Sequence, residues 1–137
     1  MANDPKLIAW VFESPKTVAV VGLSDNPERP SYHVSEEMQA RGYKIVPVSP
    51  KGETILGEKV YRSLAEIPFP VDVVDVFRAP QHVPEVVRDM EQMQTRPKLL
   101  WLQEGVVNDD AVATAQGFGV PAVQNLCIYK EAVKAGR

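Results

Sequence analysis

Three short runs in this chain, at 17–21, 71–77 and 98–102, are largely continuous stretches of β-branched and apolar residues. A strand with one wet face alternates apolar and polar side chains. A strand covered on both faces does not, and double cover is what a parallel sheet flanked by helices requires. Two weaker runs of the same kind lie at 44–48 and 120–123. This pattern constrains the fold more than any other feature.

Helical signals fill the gaps. Val83, Val86, Val87, Met90 and Met93 recur at helical spacing after Pro80, which predicts a helix over 81–94. Val34 and Met38 place an apolar stripe on a helix over 32–41, stopped by Gly42. Asn108, Asp109 and Asp110 put capping and acidic residues ahead of a helix over 111–116, ended by Gly117 and Gly119. Leu7, Ile8, Val11 and Phe12 predict a leading helix ending near Pro15, and a last helix is expected over 128–135. The stretch 49–67, with Pro50, Gly52 and Gly57, is expected to replace one crossover helix with a loop and a single turn. Strands and helices in alternation predict an α/β fold, a doubly wound parallel sheet with helices on both faces. In such sheets ligands sit beyond the carboxyl ends of the strands, where strand order reverses. That rule points at Gly22 onward, at Phe77 and Arg78, and at Gln103, Glu104 and Gly105.

The length of 137 residues suits one domain spanning 1–137. Fifteen Lys and Arg against eighteen Asp and Glu give a formal charge of −3, which argues against a sequence-independent nucleic-acid binder. It leaves room for a local basic pocket that binds one small anion. A single cysteine, Cys127, excludes a disulfide framework and a Cys-rich zinc site, and His33 and His82 have no metal-ligand spacing. No apolar run approaches the roughly 20 residues that cross a bilayer. The opening MANDPKLIAWVFESPK, with an early acid and an interrupted apolar stretch, does not read as a signal peptide, so a cytoplasmic address is expected.

The richest stretch follows the first strand. It runs into Gly22 and Leu23, then supplies Ser24, Asn26, Arg29 and Ser31. A glycine there lets backbone approach a ligand closely. Backbone N–H groups at a helix start, the positive end of the helix dipole and an Arg fork together favour phosphate. The plainer reading is a polar strand-to-helix loop with a Ser cap. A nicotinamide-type GxGxxG turn would need glycines where the chain has Ser24 and Pro27. The acid that would hold a ribose 2′-hydroxyl at the end of the second strand is also missing, since that segment reads Val46-Pro47-Val48-Ser49-Pro50-Lys51. NAD is therefore disfavoured, and Lys51 would suit a further phosphate.

Taken together, several motifs resemble those of the small stand-alone CoA-binding proteins. They are Gly22-x-Ser24, Asn26-Pro27-x-Arg29-Pro30-Ser31-Tyr32, Gly42-Tyr43 and Val46-Pro47-Val48-Ser49-Pro50. Ile55-Leu56-Gly57, Tyr61-x-Ser63-Leu64, Ile67-Pro68 and the run from Val71 to Arg78 fit as well, as do Trp101-x-Gln103-x-Gly105-Val106 and the segment around Cys127. The chain is similar, more remotely, to the CoA-binding domain of the succinyl-CoA synthetase α subunit. The resemblance implies a Rossmann-like fold with five parallel strands and coenzyme A as ligand. It implies that Gly22, Leu23 and Ser24, with Asn26 and the stretch Arg29, Pro30, Ser31 and Tyr32, hold the pyrophosphate. Pro47, Val48, Ser49, Pro50 and Lys51 would flank the adenosine end and its 3′-phosphate. Phe77, Arg78, Glu104 and Gly105 would line the far side, where the Glu104 carboxylate is a departure beside an anionic ligand.

No Ser–His–Asp set, catalytic carboxylate pair or Walker sequence is present. His33 reads as a general acid or base or, more plainly, as a solvent-facing helix residue. Cys127 reads as a reactive thiol or as a buried structural cysteine. Asp72 and Asp75 read as ligand contacts or as solvated strand ends. A non-catalytic module for CoA or acyl-CoA is expected, with no catalytic or metal-binding residues. A small enzyme or subunit acting on CoA thioesters through His33, Glu104 or Cys127 stays open, as does a nucleotide- or redox-sensing Rossmann regulatory domain.

Overall fold

The computed structural model of the chain describes residues 3–137, so the first two positions of the expected 1–137 span and of the opening segment lie outside the described residues. Five parallel strands form the main sheet: β1 (Thr17–Val21), β2 (Lys44–Val48), β5 (Val73–Val76), β6 (Leu99–Leu102) and β7 (Ala122–Val123). Their order is β2-β1-β5-β6-β7, so the direction of winding reverses between β1 and β5. The helices are α1 (Pro5–Glu13), α2 (Pro30–Ala40), α3 (Val83–Glu91), α4 (Asp109–Gly117) and α5 (Ile128–Lys134). The fold is the expected Rossmann-like α/β sheet with helices on both faces.

Each strand is buried on both sides because alternate residues feed two cores. Ala19, Val21, Val74, Val76, Leu100 and Leu102 pack with α3 and α4. Val18, Val20, Val73, Leu99 and Trp101 pack with α1, α2 and α5. This is why the runs read as continuously apolar. Asn108 caps α4 as expected, its side chain accepting from the Ala111 N–H.

Where boundaries differ from the sequence expectations, local chemistry explains them. Helix α2 starts two residues early because Pro30 takes its first position, where a missing N–H costs nothing. Ser31 therefore belongs to the helix rather than to the loop before it. A 3-10 turn (Pro80–His82) precedes α3. The segment 49–67 holds the single expected turn, a 3-10 helix at Leu64–Glu66, and also a two-residue hairpin, β3 (Thr54–Ile55) and β4 (Glu58–Lys59). Its connecting residues Leu56 and Gly57 both have positive φ, as a type I′ turn demands. A leucine there hides the turn from sequence reading, because Asn or Gly is the usual signal.

Of the two aspartates read as ligand contacts or solvated strand ends, Asp72 does stand at a strand end and is half-buried, whereas Asp75 is neither. Asp72 sits at the amino end of the sheet and accepts the Thr17 N–H at 2.8 Å. Asp75 lies within β5 in register with Val20 and Trp101 and is 1% exposed. Its Oδ1 has no hydrogen-bond partner, and burial raises its pKa well above the ordinary carboxylate value. Well below pH 4, folded and unfolded chains both hold this proton. As pH rises further the unfolded chain releases it while the folded chain keeps it, so the native state loses stability. Asp75→Asn removes that titration. Denaturant unfolding of both proteins between pH 5 and 8 should show the variant gaining on the wild type, by up to about 1.4 kcal/mol per pH unit. A difference that does not change with pH would contradict a neutral Asp75.

Candidate functional site

At the reversal point the chain leaves β1 through Gly22, whose φ is +85°. The Gly22 N–H donates to the Val48 carbonyl at 3.0 Å, extending the β1–β2 ladder by one bond. A Cβ on Gly22 would stand 2.6 Å from the Phe77 carbonyl oxygen and 3.1 Å from Arg78 Cγ. Only glycine lets the two strand ends approach this closely.

The loop beyond is held by its own side chains. Ser31 Oγ accepts the Ser24 N–H at 3.0 Å, Ser24 Oγ accepts the Asn26 N–H at 3.0 Å, and Asn26 Oδ1 accepts the Glu28 N–H at 3.0 Å. Asn26, Ser24 and Ser31 thus shape the loop and occupy some of the backbone donors the sequence offered to a ligand. The N–H groups of Leu23, Asp25 and Ser31 make no hydrogen bond among the described residues, and the two serine hydroxyls keep their own hydrogens to donate. Arg29, at the N-cap of α2, makes no side-chain cap bond and has no carboxylate partner among the described residues.

Two hollows meet at Gly22 and Arg78. The first, about 1170 Å³, is lined by Gly22, Ser24, Arg29, Pro30, Ser31, Phe77, Arg78, Glu104 and Gly105 among the expected residues. It is large for a small-molecule site, which usually spans about 300–1,000 Å³. The second, about 430 Å³, takes in Val48, Ser49 and Pro50. Five expected residues line neither hollow. The side chains of Leu23 and Tyr32 pack with the apolar core, Pro47 is buried within β2, and Asn26 and Lys51 are exposed.

Residues the sequence did not single out complete the walls. Arg62 lines the second hollow, its Nη1 donating to the Ser49 carbonyl at 3.2 Å. No motif marks it, since it follows a hairpin that itself left no sequence signal. The carboxylates beside it are occupied: Asp89 accepts the Leu64 and Ala65 N–H groups, and Glu85 stands 3.5 Å from Arg78. Lys130 lines the first hollow and pairs with Glu104 at 2.8 Å. That hydrogen bond and charge raise the Lys130 pKa, and the pair neutralises the carboxylate that looked out of place beside an anion. His33 is exposed at the edge of the same hollow, ring to ring with Tyr129. Cys127 is 6% exposed and both joins the core and lines the hollow. Among the described residues no cluster of His, Cys, Asp or Glu could hold a metal, and no helix is long and apolar enough to cross a membrane.

This loop at the reversal of a Rossmann-like sheet is joined by a match of residues 16–132 to the CoA binding domain. The chain belongs to the CoA binding domain family. A Bacillus subtilis protein, YneT, is 40% identical over 129 residues, spanning 93% of this chain and 94% of the relative. The ADP-forming acetate–CoA ligase II of Archaeoglobus fulgidus is 35% identical over 80 residues, which is 57% of this chain and 12% of the ligase. A hypothetical protein from Pyrococcus horikoshii superposes with a TM-score of 0.88 at 31% identity, covering 97% of this chain and 92% of that one.

For this CoA-binding-domain chain the strand contact at Gly22 yields a prediction. Gly22→Ala combines a left-handed backbone, about 1–2 kcal/mol by itself, with a clash against main chain that cannot swing aside. Thermal or denaturant unfolding should show a loss of more than about 2 kcal/mol. Unaltered stability would mean that the two strand ends part easily.

Proposed function

We propose that the protein binds coenzyme A, or an acyl form of it, across the carboxyl ends of β1, β2 and β5, and holds it without carrying out chemistry on it. The observation that carries this reading is Arg29, a guanidinium with no carboxylate partner among the described residues, beside the free N–H groups of Leu23, Asp25 and Ser31. That combination suits a diphosphate. Membership of the CoA binding domain family supports the choice of coenzyme.

On this reading the diphosphate lies over the Gly22–Ser24 turn, where the two hollows join. The adenosine end enters the second hollow beside Ser49 and Pro50, and the remaining arm runs through the first. Arg62, tied to the Ser49 carbonyl, and Arg78, which faces Glu85 at 3.5 Å, are the cations that line the second hollow, whereas Lys51 stands outside it. We therefore assign the 3′-phosphate chiefly to Arg62. No carboxylate follows β2 until Glu53, which leaves a nicotinamide cofactor without its usual ribose acceptor.

Isothermal titration with CoA, acetyl-CoA, dephospho-CoA, NAD and NADP tests the reading. CoA or acetyl-CoA should bind most tightly; binding of NAD with no binding of either CoA form would overturn it. Arg29→Ala should weaken CoA by about 1–3 kcal/mol, the range for a charge-assisted hydrogen bond, with the melting temperature of the free protein unchanged. Unaltered affinity would place the phosphates elsewhere. Arg62→Ala should shrink the preference for CoA over dephospho-CoA, and Lys51→Ala should shrink it less. The reverse order would return the 3′-phosphate to Lys51.

A further inference from the structure

Two polar groups deep in the interior have no hydrogen-bond partner. They are Ser35 Oγ, in the middle of α2, and Asp75 Oδ1, in β5, and both residues are 1% exposed. Among the described residues no other buried side-chain nitrogen or oxygen is left in this state. A serine inside a helix commonly bonds the carbonyl four residues back when it does not face water. Ser35 makes no such bond. Polar groups held unpaired in an apolar core are costly, and in folded proteins nearly all of them find protein or ordered water.

Both groups belong to the same half of the core. Strand residues alternate, and Val74 and Val76 pack toward α3 and α4, so Asp75 faces with Val73 the layer under α1, α2 and α5. Its lateral neighbours are Val20 of β1 and Trp101 of β6, which pack in that layer. Ser35 enters from the helix side, because Val34 and Met38 beside it belong to the same packed group as Val20 and Trp101. The depths match as well. Ser31, one turn before Ser35, and Phe77, two residues after Asp75, both line the first hollow. A helical turn descends about 5.4 Å and two strand residues about 6.6 Å, so Ser35 and Asp75 share one layer beneath that hollow.

The chemistry of the pair narrows what completes it. The two oxygens do not bond each other, since that bond would satisfy both. Burial keeps the proton on Asp75, so the layer offers a neutral carboxyl and a hydroxyl, each of which donates and accepts. A hard cation wants six or more oxygens and negative charge. A water molecule wants two to four polar partners.

We propose that Ser35 and Asp75 hold one buried water molecule between them, beneath the first hollow. The water gives each oxygen the partner it lacks and ties α2 to β5, two elements whose upper ends flank the hollow. This site stands whatever the hollow itself binds.

A high-resolution crystal structure of the free protein tests the proposal directly. It should show a water oxygen within about 2.5–3.0 Å of both Ser35 Oγ and Asp75 Oδ1. No water between them, or a direct bond from Ser35 to Asp75, would overturn it. Thermal unfolding supplies an independent readout through Ser35→Ala, made in the wild type and in an Asp75→Val background. With Asp75 present, the substitution leaves the water short of a partner; in the Asp75→Val background that water has already lost its other anchor. The midpoint should therefore fall by several degrees more in the wild type, while the better helix propensity of alanine acts in both and cancels. Equal shifts in the two backgrounds, or a larger fall with Asp75→Val, would also overturn the proposal.

Discussion

The main chain at Gly22 passes so near the Phe77 carbonyl that no side chain fits between them, and the geometry of the ligand side follows from this contact. It is made where β1 and β5 lie side by side and the winding of the sheet reverses. Chain leaving β1 turns one way into α2, while chain leaving β5 turns the other way toward α3. The gap between the diverging connections is the hollow. A bulkier residue at position 22 would push these connections apart at their common root and disturb both hollows together.

Around that root, order is supplied before any ligand arrives. The loop from Ser24 to Ser31 closes on itself through three side-chain hydrogen bonds, which fix its backbone and leave a chosen few donors open. Less conformational freedom then remains to be lost on binding. Charge is sorted in the same way. Glu104 is matched by Lys130 and Asp89 by backbone N–H groups, while Arg29 and Arg62 are left without carboxylate partners among the described residues. A chain of net charge −3 can in this manner present a locally positive site.

Much of this was legible in the sequence because strand burial and helix capping act locally. Continuous apolar runs gave the parallel sheet, Asn108 gave the α4 cap, and Gly22 gave the turn. The β3–β4 hairpin was not legible, since Leu56 adopts a positive φ without the residue type that announces it. Asp75 was misjudged for another reason: a carboxylate in a strand reads as an end residue, and only the register with Trp101 puts it inside. The expected site residues divide along the same line. Gly22, Ser24, Arg29, Pro30 and Ser31 of the first loop share one hollow with the β5 and β6 ends, whereas Leu23 and Tyr32 turn into the core and Lys51 falls outside because the bend after Ser49 carries it to the surface. Arg62 and Lys130 come from segments far along the chain, and tertiary folding alone brings them to the walls.

The central claim is that the loop after β1 receives a diphosphate. A crystal structure of the protein soaked with CoA tests it most directly. It should place the two phosphates within about 2.7–3.2 Å of the Leu23, Asp25 or Ser31 N–H groups and of the Arg29 guanidinium, with adenine turned toward Ser49. CoA bound with its phosphates elsewhere, or a first hollow that stays empty at saturating CoA, would contradict it.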